Sequence, residues 1–313
     1  MSDSEYTPAE RAQLGFRDEV TGSRAAVGLV FVWVIFGAYN IDLVQAIHDG
    51  SGSDVAFYPG GGWAIARLAS SIVLIAASWP LKRFIEKADG EGRRFWGWWW
   101  SGAAIIVAVH LMLTFTEGRV GGIVPTWFGL LAALVYSIGM ALVLISALNA
   151  DPTTLFSRRR RAERPRDWVR VHSILPAAVG TAILYFAQVV WFPDDINPDV
   201  VKENFFVAVL QFLPLVMITL GLEFNFARRG NDSRRASDTS PPLDPIRRAA
   251  PIVTMILLCL AMLLAFSTLM NDPNGGGVLA SAWHEYVAFG VSVQATTIGL
   301  ATVVWLLLAG SPD

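Results

Sequence analysis

The sequence predicts an all-α integral membrane protein of about eight transmembrane helices, and three observations carry that expectation. Of its 313 residues 54% are hydrophobic and only 16% charged, too apolar a mixture for an ordinary soluble chain. Eight apolar stretches lie near residues 25–47, 63–81, 97–116, 124–149, 171–192, 204–225, 250–270 and 281–309. Each is long enough to cross about 30 Å of hydrocarbon as a helix. The basic residues alternate along the chain. Of 24 Lys and Arg, 21 fall in the N-terminal segment and in the second, fourth and sixth connections. The odd-numbered connections hold only Arg119 and Lys202, and Arg67 lies inside the second span. Cytoplasmic segments retain Lys and Arg, so the alternation predicts both termini on the cytoplasmic side and an even number of spans.

Taken in order, residues 1–24 read as a cytoplasmic N-terminal segment. Thr7-Pro8-Ala9-Glu10 has the capping-box pattern with proline at the first helical position, which predicts a short surface helix. With five acidic and three basic side chains and no apolar core, the segment is unlike the head of a cleaved signal peptide, and the first span is expected to be a retained signal-anchor. Residues 25–309 form the eight-helix transmembrane domain. Its outer connections are short and rich in Gly, Pro, Asn and Asp, the composition of turns. The inner ones are basic. Residues 156–170 carry Arg158, Arg159, Arg160 and Arg161, and residues 227–248, expected as a flexible loop, carry Arg234 and Arg235. Such clusters are attracted to anionic lipid headgroups or to a protein partner. The formal net charge of −2 gives no sign of nucleic-acid binding, and the single cysteine, Cys259, excludes an intrachain disulfide or a thiolate metal cluster.

Arginine precedes each outward-going span, at Arg24, Arg94, Arg170 and Arg248, at intervals of 70, 76 and 78 residues. The chain can therefore be read as four tandem helix hairpins, although positive charge is needed at those places in any eight-span chain with its N-terminus inside. With Arg93-Arg94-Phe95-Trp96, the pair Trp79-Pro80 followed by Lys82-Arg83, and Asp151 after the fourth span, the layout resembles a bacterial family of polytopic membrane proteins, a domain of unknown function built from repeated hairpins. The resemblance covers about residues 24–270. It implies architecture and location in a bacterial inner membrane, and it carries no catalytic residues.

The run Trp96-Gly97-Trp98-Trp99-Trp100 raises a choice between a chemical site and an anchor. Under the predicted topology these residues, with Trp79 and Trp168, lie at the inner edge of the spans, while Trp63, Trp127, Trp191 and Trp283 lie at the outer edge. Two belts at headgroup depth are the expectation. Haem handling needs paired axial ligands, and His48, His110, His172 and His284 are scattered at different depths.

Ionisable groups inside hydrocarbon cost about 3 kcal/mol each, so each needs a partner or a role. Asp42 and Arg67 stand at matching depth on the first two spans and are expected to pair. With His110, His284 and Glu285, and with Tyr39, Asn40, His48 and Glu117 nearby, they make the outer half polar and form the candidate ligand or ion-pair cluster. No phosphate loop, nucleophile elbow or His-Glu-x-x-His pair occurs, the stretch from Asp49 lacks the acidic twelfth position of a calcium loop, and the four histidines have no paired metal spacing. No catalytic residue, metal or cofactor is expected. The leading expectation is a non-enzymatic accessory or scaffold subunit of a membrane complex, associating with a protein partner or with itself. The alternative is a small-molecule or ion transporter or channel using an outer-facing polar cavity around Asp42, Arg67 and His110.

Overall fold

The computed structural model describes residues 25–35, 37, 62–88, 95–119, 126–191, 203–237, 249–270 and 282–310. Nine α-helices occur among them: α1 (Ala25–Ile35), α2 (Gly62–Ala88), α3 (Trp96–Arg119), α4 (Thr126–Ala147), α5 (Arg158–Glu163), α6 (Pro165–Trp191), α7 (Glu203–Ser237), α8 (Ala249–Leu269) and α9 (Ala282–Gly310). One 3-10 turn, Pro152–Leu155, precedes α5. No strand occurs among the described residues.

Seven of these helices are long and apolar enough to cross a membrane, and α1 adds a shorter apolar piece. Between 28% and 50% of each spanning window is buried inside the protein. Half or more of every window therefore lies outside the buried interior while remaining apolar, with Val73, Phe115, Leu215, Ile218 and Leu263 among the exposed side chains. Only a lipid surrounding suits such a surface. The chain is an all-α multi-pass membrane protein.

The helices are longer than the apolar windows suggest. Helix α2 continues through Pro80 to Ala88, so Lys82, Arg83 and Glu86 are helical residues. Proline removes one N–H, and the neighbouring helices make that loss tolerable. Helix α7 continues to Ser237, so residues 227–237, expected as the start of a flexible loop, are helical. The first proline of that stretch stands at 241, and nothing before it forces the helix to end. The remainder of 227–248, residues 1–24, and the first span beyond residue 37 lie outside the described residues.

Packing departs from a row of independent hairpins. Helices α3 and α4 pair closely, as do α8 and α9. Helix α6, however, packs on α4 and α9, and α7 lies against α8 and α9. Small residues explain the closest crossings. A Cβ built on Gly102 would stand 2.7 Å from the carbonyl oxygen of Gly139, and one on Gly180 would stand 2.9 Å from the amide nitrogen of Ile298. Backbones that close exclude any side chain at those glycines.

Candidate functional site

A seam of polar side chains runs through the bundle where α1 meets its neighbours. The main-chain carbonyl of Gly37 accepts hydrogen bonds from the hydroxyls of Tyr136 on α4, at 3.3 Å, and of Tyr185 on α6. One turn earlier, the carbonyl of Val34 accepts from the amide nitrogen of Gln294 on α9, at 3.1 Å. The same nitrogen donates to the Thr181 hydroxyl at 3.1 Å, and Thr297, one turn further along α9, donates to the carbonyl of Gly180. Gln294 is fully buried, and its Oε1 has no hydrogen-bond partner among the described residues. The two tyrosine rings meet edge-on at 5.2 Å. His110 on α3 lies edge-on to Tyr136 at 5.5 Å, and its Nε2 is 2.7 Å from the Ser71 hydroxyl on α2. Six helices thus meet through polar contacts in the apolar part of the protein, where buried donors and acceptors must find partners inside the chain.

A second polar assembly closes one end of the bundle. Helix α4 ends in a left-handed residue, Asn149, with φ 57°. The amide of Ala150 bonds back to the carbonyl of Ile145 and that of Asn149 to Ser146, a Schellman ending in which asparagine replaces the usual glycine. The Arg170 guanidinium, buried on α6, donates to the carbonyl of Leu148 in the same turn at 3.0 Å. Asp151 follows and caps the 3-10 turn through the Thr153 amide at 3.0 Å and hydroxyl at 2.7 Å. Its Oδ2 accepts from Arg160 at 3.1 Å and Arg164 at 3.2 Å. Burial by itself would raise the Asp151 carboxyl, but the Thr153 hydroxyl and amide, with the Arg160 guanidinium, hold it below the usual carboxylate range. Arg161 donates to the carbonyls of Thr154 and Leu155 and lies 4.0 Å over the Trp168 ring. Trp168 stacks on His172, whose Nδ1 accepts from the Trp305 indole of α9. Residues 148–170 therefore form a clasp across α4, α6 and α9.

The tryptophan run adjoins this clasp. Trp99 is 1% exposed and donates its indole N–H to the Ser78 hydroxyl at 3.2 Å. Trp79, Trp96, Trp99 and Trp100 meet edge-on at centroid distances of 4.8–6.0 Å. Lys82 lies beneath this cluster, fully buried. Its Nζ is 2.7 Å from the carbonyl oxygen of Ser146, 3.0 Å from Glu86 Oε1 and 5.0 Å from the Trp96 ring centre. Within the run Trp98 and Trp100 are exposed, whereas Trp99 is buried with its indole N–H on a serine of α2.

Of the residues expected to form the outer cluster, His110, His284 and Glu285 fall among the described residues. His110 is bound to Ser71, while His284 takes the Ser267 hydroxyl at 2.8 Å on α8. Glu285 stands in the first turn of α9. Asp42 and the side chain of Arg67 lie outside the described residues. Of the four arginines 158–161, Arg160, itself half exposed, and Arg161 bond to groups of the clasp, whereas Arg158 and Arg159 are exposed, Arg159 pairing with Glu163 one turn on. Arg234 and Arg235 fall on the final turns of α7. No group of three or more metal-ligating side chains occurs among the described residues.

Sequence reasoning missed Tyr136, Tyr185, Thr181 and Gln294, uncharged polar residues inside apolar windows. It treated Lys82 as part of a basic connection and gave Glu86 no role, although their i,i+4 spacing was a readable signal of helix continuation. The class is settled by the fold: a multi-pass helical membrane protein with a polar seam and a clasped end. No family model matches the chain, and neither a curated protein nor a solved structure matches it.

Proposed function

We propose that the chain is a non-enzymatic accessory or scaffold subunit of a membrane complex, with its clasped end and both termini on the cytoplasmic side of a bacterial inner membrane. One observation carries the reading. Helix α7 leaves its apolar window at Glu223 and continues to Ser237, a projection of about 20 Å at 1.5 Å per residue. That projection holds Arg228, Arg229, Arg234 and Arg235, so it offers a partner a basic helical arm. The polar groups inside the bundle fit the same role. His110, Tyr136, Tyr185, Gln294 and Lys82 each bond across to another helix, which stiffens a support.

The test is purification of the tagged protein from its native membrane in mild detergent, with the peak read by mass spectrometry. Stoichiometric recovery of another protein, lost in the R234E/R235E variant, is the expected result. Recovery of the chain alone, from wild type and variant alike, overturns it.

A second reading, a transporter or channel, is favoured by one feature. The carbonyls of Val34 and Gly37 and the amide of Gln294 form a polar seam beside a buried acceptor with no partner among the described residues, the type of arrangement found where helices contact a substrate near the midplane. Ion or solute flux into proteoliposomes, abolished by Gln294→Leu, would establish it in place of the scaffold.

A further inference from the structure

We infer that the outer margin of the clasp is a foot resting on anionic lipid headgroups, in which Phe156 enters the acyl boundary and Arg158 and Arg159 meet phosphates. This inference rests on the chain being membrane-spanning and does not depend on the choice between scaffold and transporter.

Phe156 is 90% exposed, the most exposed of the large apolar side chains described. It stands between two anchored segments: Thr154, fully buried before it, and α5, fastened to Asp151 after it. Both the amide of Phe156 and that of Ser157 bond to the carbonyl of Thr153, so the ring is displayed by a turn with a fixed backbone. An uncovered phenylalanine in water forgoes the stabilisation that burial of its ring would supply.

The clasp joins α4, whose apolar window ends at Ala147, to α6, whose window begins at Pro165. Phe156 therefore sits at the membrane end of two spans, where the nearest apolar phase is the bilayer itself. Trp79, Trp98 and Trp100 are exposed beside the α2–α3 part of the same end, and Arg164 lies 5.8 Å from the ring centre of Phe95, which leads into α3. Aromatic side chains of this kind favour headgroup depth.

The arginines divide into two sets by what they touch. Arg160, Arg161 and Arg164 are spent on Asp151 and on carbonyls of the clasp. Arg158 and Arg159 face outward, and the Arg159–Glu163 pair is 89% and 53% exposed, a contact of little strength that a phosphate can replace. Two exposed guanidiniums beside an apolar side chain match an anionic surface in charge and in polarity. A soluble protein offering acidic groups is the competing occupant.

The experiment places the full-length protein in nanodiscs of phosphatidylglycerol or of phosphatidylcholine. In a Cys259→Ser background, Phe156→Cys carries an environment-sensitive fluorophore. The inference expects blue-shifted emission that brominated acyl chains quench, together with a preference for phosphatidylglycerol that R158Q/R159Q lowers on the order of tenfold while the melting temperature stays unchanged. Water-like emission insensitive to brominated lipid overturns the foot. So does an unaltered lipid preference in the double variant, or a loss confined to co-purification of a protein.

Discussion

The ammonium of Lys82 lies 2.7 Å from the main-chain carbonyl of Ser146, joining α2 to the last turn of α4 from a position with no exposure to solvent. Glu86, one turn along α2, supplies the countercharge at 3.0 Å. Removing one partner of a buried pair leaves an uncompensated charge, at about 3–5 kcal/mol. Lys82→Met is therefore expected to lower the melting temperature sharply, and Lys82→Met with Glu86→Leu to recover most of it. A double variant as unstable as the single one would show that the carbonyl contact, and not the pair, holds the two helices.

The glycines give a contrast of sign. Gly102→Ala drives a methyl group toward the Gly139 carbonyl, and overpacking of this kind costs about 1–3 kcal/mol. Gly221 on α7 has open space around its missing Cβ, so Gly221→Ala is expected to stabilise by about 0.4–1 kcal/mol through the unfolded chain. Thermal melting of the two variants in one detergent reads both effects, and equal shifts would contradict the close approach of α3 and α4.

Tyr136 and Tyr185 share one acceptor, the carbonyl of Gly37. Either phenylalanine variant leaves that carbonyl with a hydroxyl, so each is expected to cost little, on the order of 1 kcal/mol. The double variant strands a buried carbonyl and should cost more than the sum of the two. Strict additivity in a double-mutant cycle would separate the hydroxyls energetically.

Asp151 predicts a response to acid. Its carboxyl is held below its ordinary value of 3.8 in the folded protein, so the stability it contributes is full above that value and is lost as pH falls through the lowered one. Hydrogen exchange across residues 151–164 should be steady from neutral pH down to about 4 and accelerate below it, beyond the intrinsic dependence of exchange on pH. In Asp151→Asn the clasp should be loosened already at neutral pH, with that additional acid step absent. An identical step in the variant would assign the acid response to another group.

The helical membrane class was legible because seven apolar windows survive as helices, and hydropathy needs no knowledge of neighbours. Where α2 ends was not legible: a Pro80 followed by Lys82 and Arg83 reads as a stop, yet packing against Ser146 and Trp96 carries the helix on. The seam was hidden for a related reason. Tyr136 and Gln294 look like tolerated polar residues until tertiary packing brings them to the carbonyls of Gly37 and Val34. His110 was expected in a ligand or ion-pair cluster; it is buried, and its partner Ser71 is uncharged and lay beyond a search for ion pairs.

The position of α9 in the packing bears on how the protein is made. Gln294 reaches Val34, Thr297 reaches Gly180, and Trp305 reaches His172. Each acceptor belongs to a helix that leaves the ribosome well before its donor. During synthesis α1 and α6 are therefore made before the donors that bond to them across the bundle. These three contacts close only when α9 arrives, so the order of synthesis makes α9 the helix that locks α1 and α6 together.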